Sequence, residues 1–514
     1  MNNNMIEIHV NNVWSRIRNL KDVKIIDKLD KLTSFYVEGY QYTKAFKSGW
    51  YSDGQWRHWD GKKHLLNSNM VFPTGLLNKI EDKLNKLKIK YKVVDKRPKI
   101  KYGKEKDLHF TPRHYQDEAA DVAYNKGSGL IRIGTGGGKT LLMAQIAAKF
   151  DVPTMIYVVG KDLLYQTHQA VSAALNEEIG IIGDGQCTIK KINICSVWTA
   201  ITSFNLKMKI SLDDEDWKPE VKTAGIEKER IRKAIQDCQL AMFDEAHYLA
   251  CDTIQSIYKA SKKCQHIFGL SGTDWRDDGA DLLMESVCGP RIYSLTSSEL
   301  IDKGFLVQPK ISMVNMPRMG QLPRQWPTVY SQYITNNVIR NEAIINSSTQ
   351  LYEMGRRTLI LVRHIKHGNI LNKELSKKFN TYFVNGDVDG KTRQKVKDDF
   401  EDGKLDCLIA SSVFDIGIDI PCLDGLILAG GGKSTVRCLQ RVGRVIRNFP
   451  GKKDAFVYDP IDNARYVKEH SLIRANMYLG EPNFKVKLPK SFNIDSPEMK
   501  KIRAKLKKAG KIAK

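Results

Sequence analysis

The stretch Leu130-Ile131-Arg132-Ile133-Gly134-Thr135-Gly136-Gly137-Gly138-Lys139-Thr140, followed by Leu141-Leu142-Met143-Ala144-Gln145-Ile146-Ala147-Ala148, decides how the chain is read. A short apolar run ends in glycines, and a helix-like apolar segment starts directly after a lysine and a threonine. Glycines let successive backbone N–H groups curl around an anion, and the positive end of the following helix adds to the attraction. Gly134, Thr135, Gly136, Gly137 and Gly138 therefore read as a phosphate cradle. Lys139 is placed to reach the β- and γ-phosphates of a nucleoside triphosphate, and the Thr140 hydroxyl to hold Mg²⁺. The full G-x-x-x-x-G-K-[ST] spacing asks for glycine at 133, where Ile133 stands, so the match is to the compact x-T-G-x-G-K-T form.

Outward from this loop, short apolar runs alternate with helix-like stretches. Met155 to Val159 and Leu240 to Phe243 are two such runs, and the second leads into Asp244-Glu245-Ala246-His247. An aspartate at a strand end beside a phosphate loop is suited to the metal shell, and the adjacent glutamate to orienting or deprotonating the attacking water. The alternation restarts after about Pro309, with buried-strand patterns at Thr358–Val362, Thr381–Val384, Cys407–Ala410 and Gly425–Ala429. Strands alternating with helices predict parallel sheets, hence two similar α/β units in series. The charged stretch from Leu206 to Lys233 reads as an insertion, partly loop, in the first unit.

In the second unit, Gln440-Arg441-Val442-Gly443-Arg444-Val445-Ile446-Arg447 places three arginines at helical spacing. Arg444 and Arg447, three apart, are predicted to share a helix face. A guanidinium is planar and always charged, which suits it to a transferring phosphoryl group. Presented to the γ-phosphate, the pair would couple hydrolysis to closure of the two units.

The bulk numbers agree with a polyanion partner. Among 514 residues, 82 Lys and Arg stand against 58 Asp and Glu, a formal net charge of +24, and a field of that sign accelerates encounter with nucleic acid. The nine cysteines form no C-x-x-C pair, so neither a zinc ribbon nor a disulfide framework is predicted. No secretory leader and no apolar run of bilayer length is read, so a reduced, intracellular protein away from membranes is expected.

Taken together and in this order, these blocks look like a superfamily 2 helicase of the Asp-Glu-Ala-His (DEAH) type, over about residues 108 to 450. The resemblance implies two RecA-like parallel-sheet domains in tandem behind a small N-terminal α/β accessory domain. It implies ATP and Mg²⁺ as cofactors, with Lys139, Asp244, Glu245, Arg444 and Arg447 catalytic. Arg113-His114-Tyr115-Gln116 resembles the adenine-recognising element: Gln116 would bond the base, Tyr115 would stack or pack, and Arg113 belongs to the same pocket. Gly160-Lys161 and the segment Cys195 to Ala200, with Thr199, resemble strand-contacting motifs, as does His364 after the Thr358–Val362 run. The segment Ala410 to Pro421 resembles a later motif that touches both partners: Ser411 and Ser412 toward phosphates, Gly417 and Asp419 toward nucleotide, as would Gln440. Phe414-Asp415 departs from the usual pair there.

Trp59 to Leu66 and Phe72 to Leu76 are similar to the region ahead of the core in phage recombination helicases. That similarity implies action on branched, forked or single-stranded DNA and on RNA–DNA hybrids, by a monomer, in a cytoplasm that would be a bacterial host's for a phage chain. An RNA helicase stays open as the alternative, because such motors grip backbone phosphates more than bases. The expected divisions are 1–100 accessory, 101–307 nucleotide-binding, 308–480 second motor domain and 481–514 basic tail. The N-terminal aromatics from Tyr36 to Trp59 are expected mostly to fill a small core, leaving Lys62 and Lys63 as the better nucleic-acid candidates. The tail is expected to be a poor core, flexible or a surface helix.

Overall fold

The computed structural model describes residues 5–37, 39–52, 55–205, 227–272, 281–317, 323–411, 420–432 and 434–508. The chain is α/β, and its backbone divides into two compact units: Met1–Ile133 with Gly138–Ser294, and Gly134–Gly137 with Leu295–Lys514.

The first unit contains a four-stranded sheet, ordered Val71–Pro73, Trp14–Arg18, Ile6–Val10, Tyr91–Asp95, backed by helices Val23–Leu32 and Leu77–Lys86. Its core is apolar, with Ile8, Leu29, Phe72, Leu76, Ile80 and Leu84 fully buried. Two further pairs, Ser34–Tyr36 with Lys62–His64 and Trp50–Ser52 with Gln55–Arg57, stand outside that sheet. The larger sheet of the unit runs Gln186–Thr188, Gly180–Gly183, Ile192–Ser196, Thr154–Val158, Leu240–Asp244, His266–Ser271, Gly129–Ile133, Arg291–Leu295. The central pairings from Gly180–Gly183 to Gly129–Ile133 are parallel. Strands buried on both faces read as continuous apolar runs, which is why they were visible in the sequence.

The small domain is not hung on a loose tether. Val13 enters the core of the larger sheet, Tyr258 donates its hydroxyl to the Val13 carbonyl at 2.9 Å, and Lys79 pairs with Glu285 at 2.5 Å. The Gly75 backbone lies so close to the Glu285 and Ser286 carbonyls that a Cβ there would collide with them. Of the Leu206–Lys233 insertion, residues 206–226 lie outside the described residues, and helix Lys228–Asp237 follows, burying Ile231 and Ile235.

The second unit is built on seven parallel strands in the order Thr381–Val384, Cys407–Ala410, Thr358–Leu361, Gly425–Ile427, Asp454–Ile461, Gln308–Asn315, Lys485–Lys487. The basic tail contains the surface helix expected of it, Pro497–Lys508, but the last strand corrects the rest of that reading. Lys485–Lys487 joins the sheet edge, and helix Pro497–Lys508 buries Met499 and Leu506, with Asn476 donating to the Met499 sulfur at 3.3 Å. Two apolar residues among many lysines were enough to anchor a segment whose composition reads as solvated. Among the described residues no helix is long and apolar enough to cross a membrane.

Candidate nucleotide and nucleic-acid site

Strand Gly129–Ile133 is largely buried and delivers the chain to a turn in which Gly137 N–H donates to the Gly134 carbonyl at 2.9 Å. Gly136 and Gly138 sit at φ +88° and +76°, a region that glycine enters without Cβ strain. Helix Lys139–Phe150 starts immediately after Gly138, which offers no side-chain cap to its first-turn N–H groups. Those donors face the end of the helix where a phosphate is favoured. Gln116, itself buried, donates to the Gly138 carbonyl at 3.0 Å and accepts from the Arg113 N–H at 2.8 Å. The element expected to meet adenine is thus also the buttress of the phosphate turn. Tyr115 is 1% exposed and accepts from Arg113 Nη1 at 2.8 Å; it packs, and its ring is not offered for stacking.

One strand away across His266–Ser271, strand Leu240–Asp244 ends in a buried carboxylate. Burial first, and then the Glu245 carboxylate, pushes Asp244 up to about 6, while the Lys139 ammonium pulls the other way. Glu245 stands at φ +56°, a left-handed conformation costing a non-glycine residue about 1 to 3 kcal/mol. Its carboxylate accepts from the Ser271 hydroxyl at 3.4 Å and lies 3.3 Å from His247 Nδ1. Ser271 and His247 belong to stretches that the sequence offers as motifs, Ser271 to one resembling a coupling motif and His247 to Asp244-Glu245-Ala246-His247, and both contact the residue suited to handling water. Ser271 begins Ser271-Gly272-Thr273, of which Thr273 lies outside the described residues.

One ammonium, one hydroxyl and one buried carboxylate fit a phosphate-bound divalent cation better than a protein-caged one, and no cluster of three metal-ligating side chains occurs among the described residues. Thr140 and Asp244 would hold Mg²⁺, whose chemistry would be to neutralise charge on the phosphates.

In the second unit, helix Thr435–Val445 is capped by Ser434, whose hydroxyl accepts from the Arg437 N–H at 3.3 Å. It carries Gln440, Arg441 and Arg444. The shared helix face expected for Arg444 and Arg447 is corrected: the helix stops at Val445, and Arg447 forms an isolated antiparallel bridge with Leu306, beside a Val307 N–H to Ile446 carbonyl bond of 2.9 Å. A sheet-like contact with residues far away in sequence ended a helical pattern that periodicity alone would continue.

The nucleic-acid candidates divide by exposure. Lys161 opens helix Lys161–Leu175 behind Gly160 at φ +104° and pairs with Asp184 at 2.7 Å on the surface. His364 caps helix Ile365–Leu375 with its ring 4.5 Å from that of Tyr330. Thr199 and Ser411 are only 4% and 5% exposed, so their side chains face inward and not toward a passing strand. Ser412, Gly417 and Asp419 lie outside the described residues. Lys62 and Lys63 share the edge strand Lys62–His64, with Lys62 Nζ 5.0 Å from the Tyr36 ring centre. The expectation that the aromatics fill a core is overturned. Tyr42, Tyr51 and Trp56 are 75%, 64% and 67% exposed, and Tyr36 and Trp50 are exposed with them.

Residues 109–275 match the family model described as type III restriction enzyme, res subunit, and residues 340–449 match the helicase conserved C-terminal domain. With the phosphate turn and two parallel sheets, they place the chain among the superfamily 2 helicases; it is an ATP-dependent helicase, an enzyme that binds nucleic acid. Among named proteins, it is similar to the ATP-dependent DNA helicase uvsW of Enterobacteria phage T4, 25% identical over 89% of this chain and 91% of that one. It is also similar to the DNA 3'-5' translocase XPB2 of Sulfurisphaera tokodaii, 22% identical over 82% and 92%. In fold it resembles S. cerevisiae Dbp5 bound to RNA and ADP BeF3, with a TM-score of 0.52 at 16% identity over 76% of this chain and 94% of that chain.

Proposed function

We propose that the protein is an ATP-dependent DNA helicase or translocase that works on branched DNA, migrating junctions, regressing forks and unwinding R-loops. The observation that carries this reading is the exposed aromatic and basic face of the first hundred residues. A motor that follows one strand has no means of recognising a fork; it needs a second contact, fixed relative to the motor, that meets the arms. Tyr42, Tyr51 and Trp56 offer open rings for stacking on unpaired bases, and Lys62 and Lys63 supply cations for phosphates. The docking of Val13 and Lys79 supports the required rigidity. DNA is favoured over RNA by the likeness to DNA helicases along nearly the whole chain.

In this reading residues 1–100 sense the junction, 101–307 bind and hydrolyse ATP, 308–480 complete the motor, and 481–514 add basic surface. Lys139 stabilises the β- and γ-phosphates, Glu245 orients the attacking water, and Arg444 and Arg447 supply cations to the transferring phosphoryl group. Gly160, Lys161 and His364 contact the tracked strand.

The test compares processing of a four-way junction with ATPase stimulation by single-stranded DNA in the full chain. Tyr51→Ala with Trp56→Ala should lower junction processing about tenfold or more, given roughly 1 to 3 kcal/mol per stacked base. ATPase stimulation should stay within about twofold. Junction processing equal to wild type would place recognition in the motor itself, and stimulation by RNA alone would turn the reading to an RNA helicase.

A further inference from the structure

Just ahead of the arginine-bearing helix the chain runs Ala429-Gly430-Gly431-Gly432, and four consecutive carbonyls are each taken by a different side chain. Arg340 Nη1 donates to Ala429 at 2.7 Å and the Tyr330 hydroxyl to Gly430 at 2.8 Å. Arg441 Nη1 donates to Gly431 at 3.3 Å and Arg474 Nη1 to Gly432 at 2.7 Å. Glycine makes this possible. Gly431 and Gly432 take φ +61° and +116°, and a Cβ on Gly430 would press on the Arg363 N–H at 2.9 Å.

Two of the donors are buried cations with their own counter-charges. Arg340 Nε donates to Asp462 at 2.7 Å. Arg474 donates through Nε and Nη2 to the two Asp459 oxygens at 2.8 and 2.7 Å, and Tyr478 also donates to Asp459, at 2.8 Å. Buried ion pairs contribute little net stability, and apolar replacements of similar volume often do as well. Packing is therefore a weak reason for spending two of them on one loop. The Tyr330 ring also lies against His364, and the Arg363 guanidinium is 5.8 Å from the same ring centre. One phenol thus touches both the start of helix Ile365–Leu375 and the loop that launches the arginine helix.

We propose that Tyr330, Arg340 and Arg474 are positioning residues. By clamping residues 429–432 they fix the direction of helix Thr435–Val445, and so the placement of Arg444, while the Leu306 bridge sets that of Arg447. Tyr330 links that placement to the strand contact at His364. The inference rests on the reading of those arginines as hydrolytic.

Tyr330→Phe in the full chain keeps the ring on His364 and removes only the bond to Gly430. The expected result, at saturating single-stranded DNA, is a kcat lower by about 3- to 10-fold, the scale of one lost hydrogen bond. KM for ATP and DNA affinity should be close to wild type, with the melting temperature only a few degrees lower, a split that a merely structural role would not produce. Because Tyr330 acts through Arg444, the loss should shrink in an Arg444→Lys background. An unchanged kcat, or a full second loss in the double variant, overturns the clamp. If Arg444→Lys turns over normally, the arginine reading falls and this inference with it; if Arg444→Lys is impaired while Tyr330→Phe is normal, only the clamp falls.

Discussion

The phosphate turn and the arginine segment belong to one catalytic reading, yet they are built in opposite ways. The turn is largely a local object: Gly136 and Gly138 take positive φ that glycine enters freely, the helix after them supplies its own N–H donors, and the one buttress described, Gln116, comes from 22 residues away. The arginine segment is a long-range object. Its leading loop is held from residues 330, 340 and 474, the two arginines among them are paired with Asp462 and Asp459, and its end is set by a bridge to Leu306. A local device tolerates changes elsewhere but fails at its key side chain. A distributed device can be damaged from many places, with stability and rate affected together.

The largest expected effect tests the local side. Lys139→Ala should lower ATP hydrolysis by more than about 10³-fold, since no other side chain in the turn can place a cation on the β- and γ-phosphates, while DNA binding by gel shift survives. Substantial residual hydrolysis would remove the turn from the catalytic reading. Arg447→Ala should cost about 10³-fold in turnover with nucleotide binding retained in calorimetry, the scale of an arginine finger. Near-normal turnover would make this arginine part of the bridge and nothing more.

The distributed side predicts stability losses where the local side predicts none. Asp459→Asn leaves Arg474 buried without its counter-charge and should destabilise the second unit by about 3 to 5 kcal/mol in denaturant melts. A stability equal to wild type would mean that water reaches the pair. Met499→Ala, in the basic tail, should cost about 2 to 4 kcal/mol, with ATPase at low temperature preserved; no loss would return the tail to a loose appendage.

The smallest effect is one of pH. His367, fully buried with Nε2 donating to Asn341 at 2.9 Å, is pulled down to about 3 by burial, then by Arg340 and His364. Its folded value lies below the unfolded 6.5, so the unfolded chain binds more protons between those limits. Its full contribution to stability is present above pH 6.5 and is lost as pH falls, by up to about 1.4 kcal/mol per unit. Unfolding of wild type and His367→Gln from pH 7.5 to 5 checks this: the wild-type slope should be steeper, and parallel slopes would sink it.

Much of the fold was legible because parallel strands buried on both faces leave continuous apolar runs, as at Thr154–Val158 and Cys407–Ala410. The misjudged aromatics show the limit. Tyr51 and Trp56 are large rings of the kind that fill small cores, but strands Trp50–Ser52 and Gln55–Arg57 pair only with each other, so among the described residues no second layer covers them. The pairing of Glu245 with Ser271 was set by the fold, since 26 residues separate them along the chain, although each stood in a motif of its own.

What the sequence determined by itself is whatever depends on neighbours along the chain: the glycine turn with Lys139 and Thr140, the strand ending in Asp244, and the alternation that makes two α/β units. The tertiary structure alone decided that Arg447 leaves its helix for a bridge, that Tyr115 packs, and that Met499 holds a basic tail to the second unit. It also decided that four carbonyls at 429–432 meet donors up to about a hundred residues distant. The physical reason is the same in each case: burial and hydrogen-bond pairing are settled by what lies across the core, and local spacing carries no record of it.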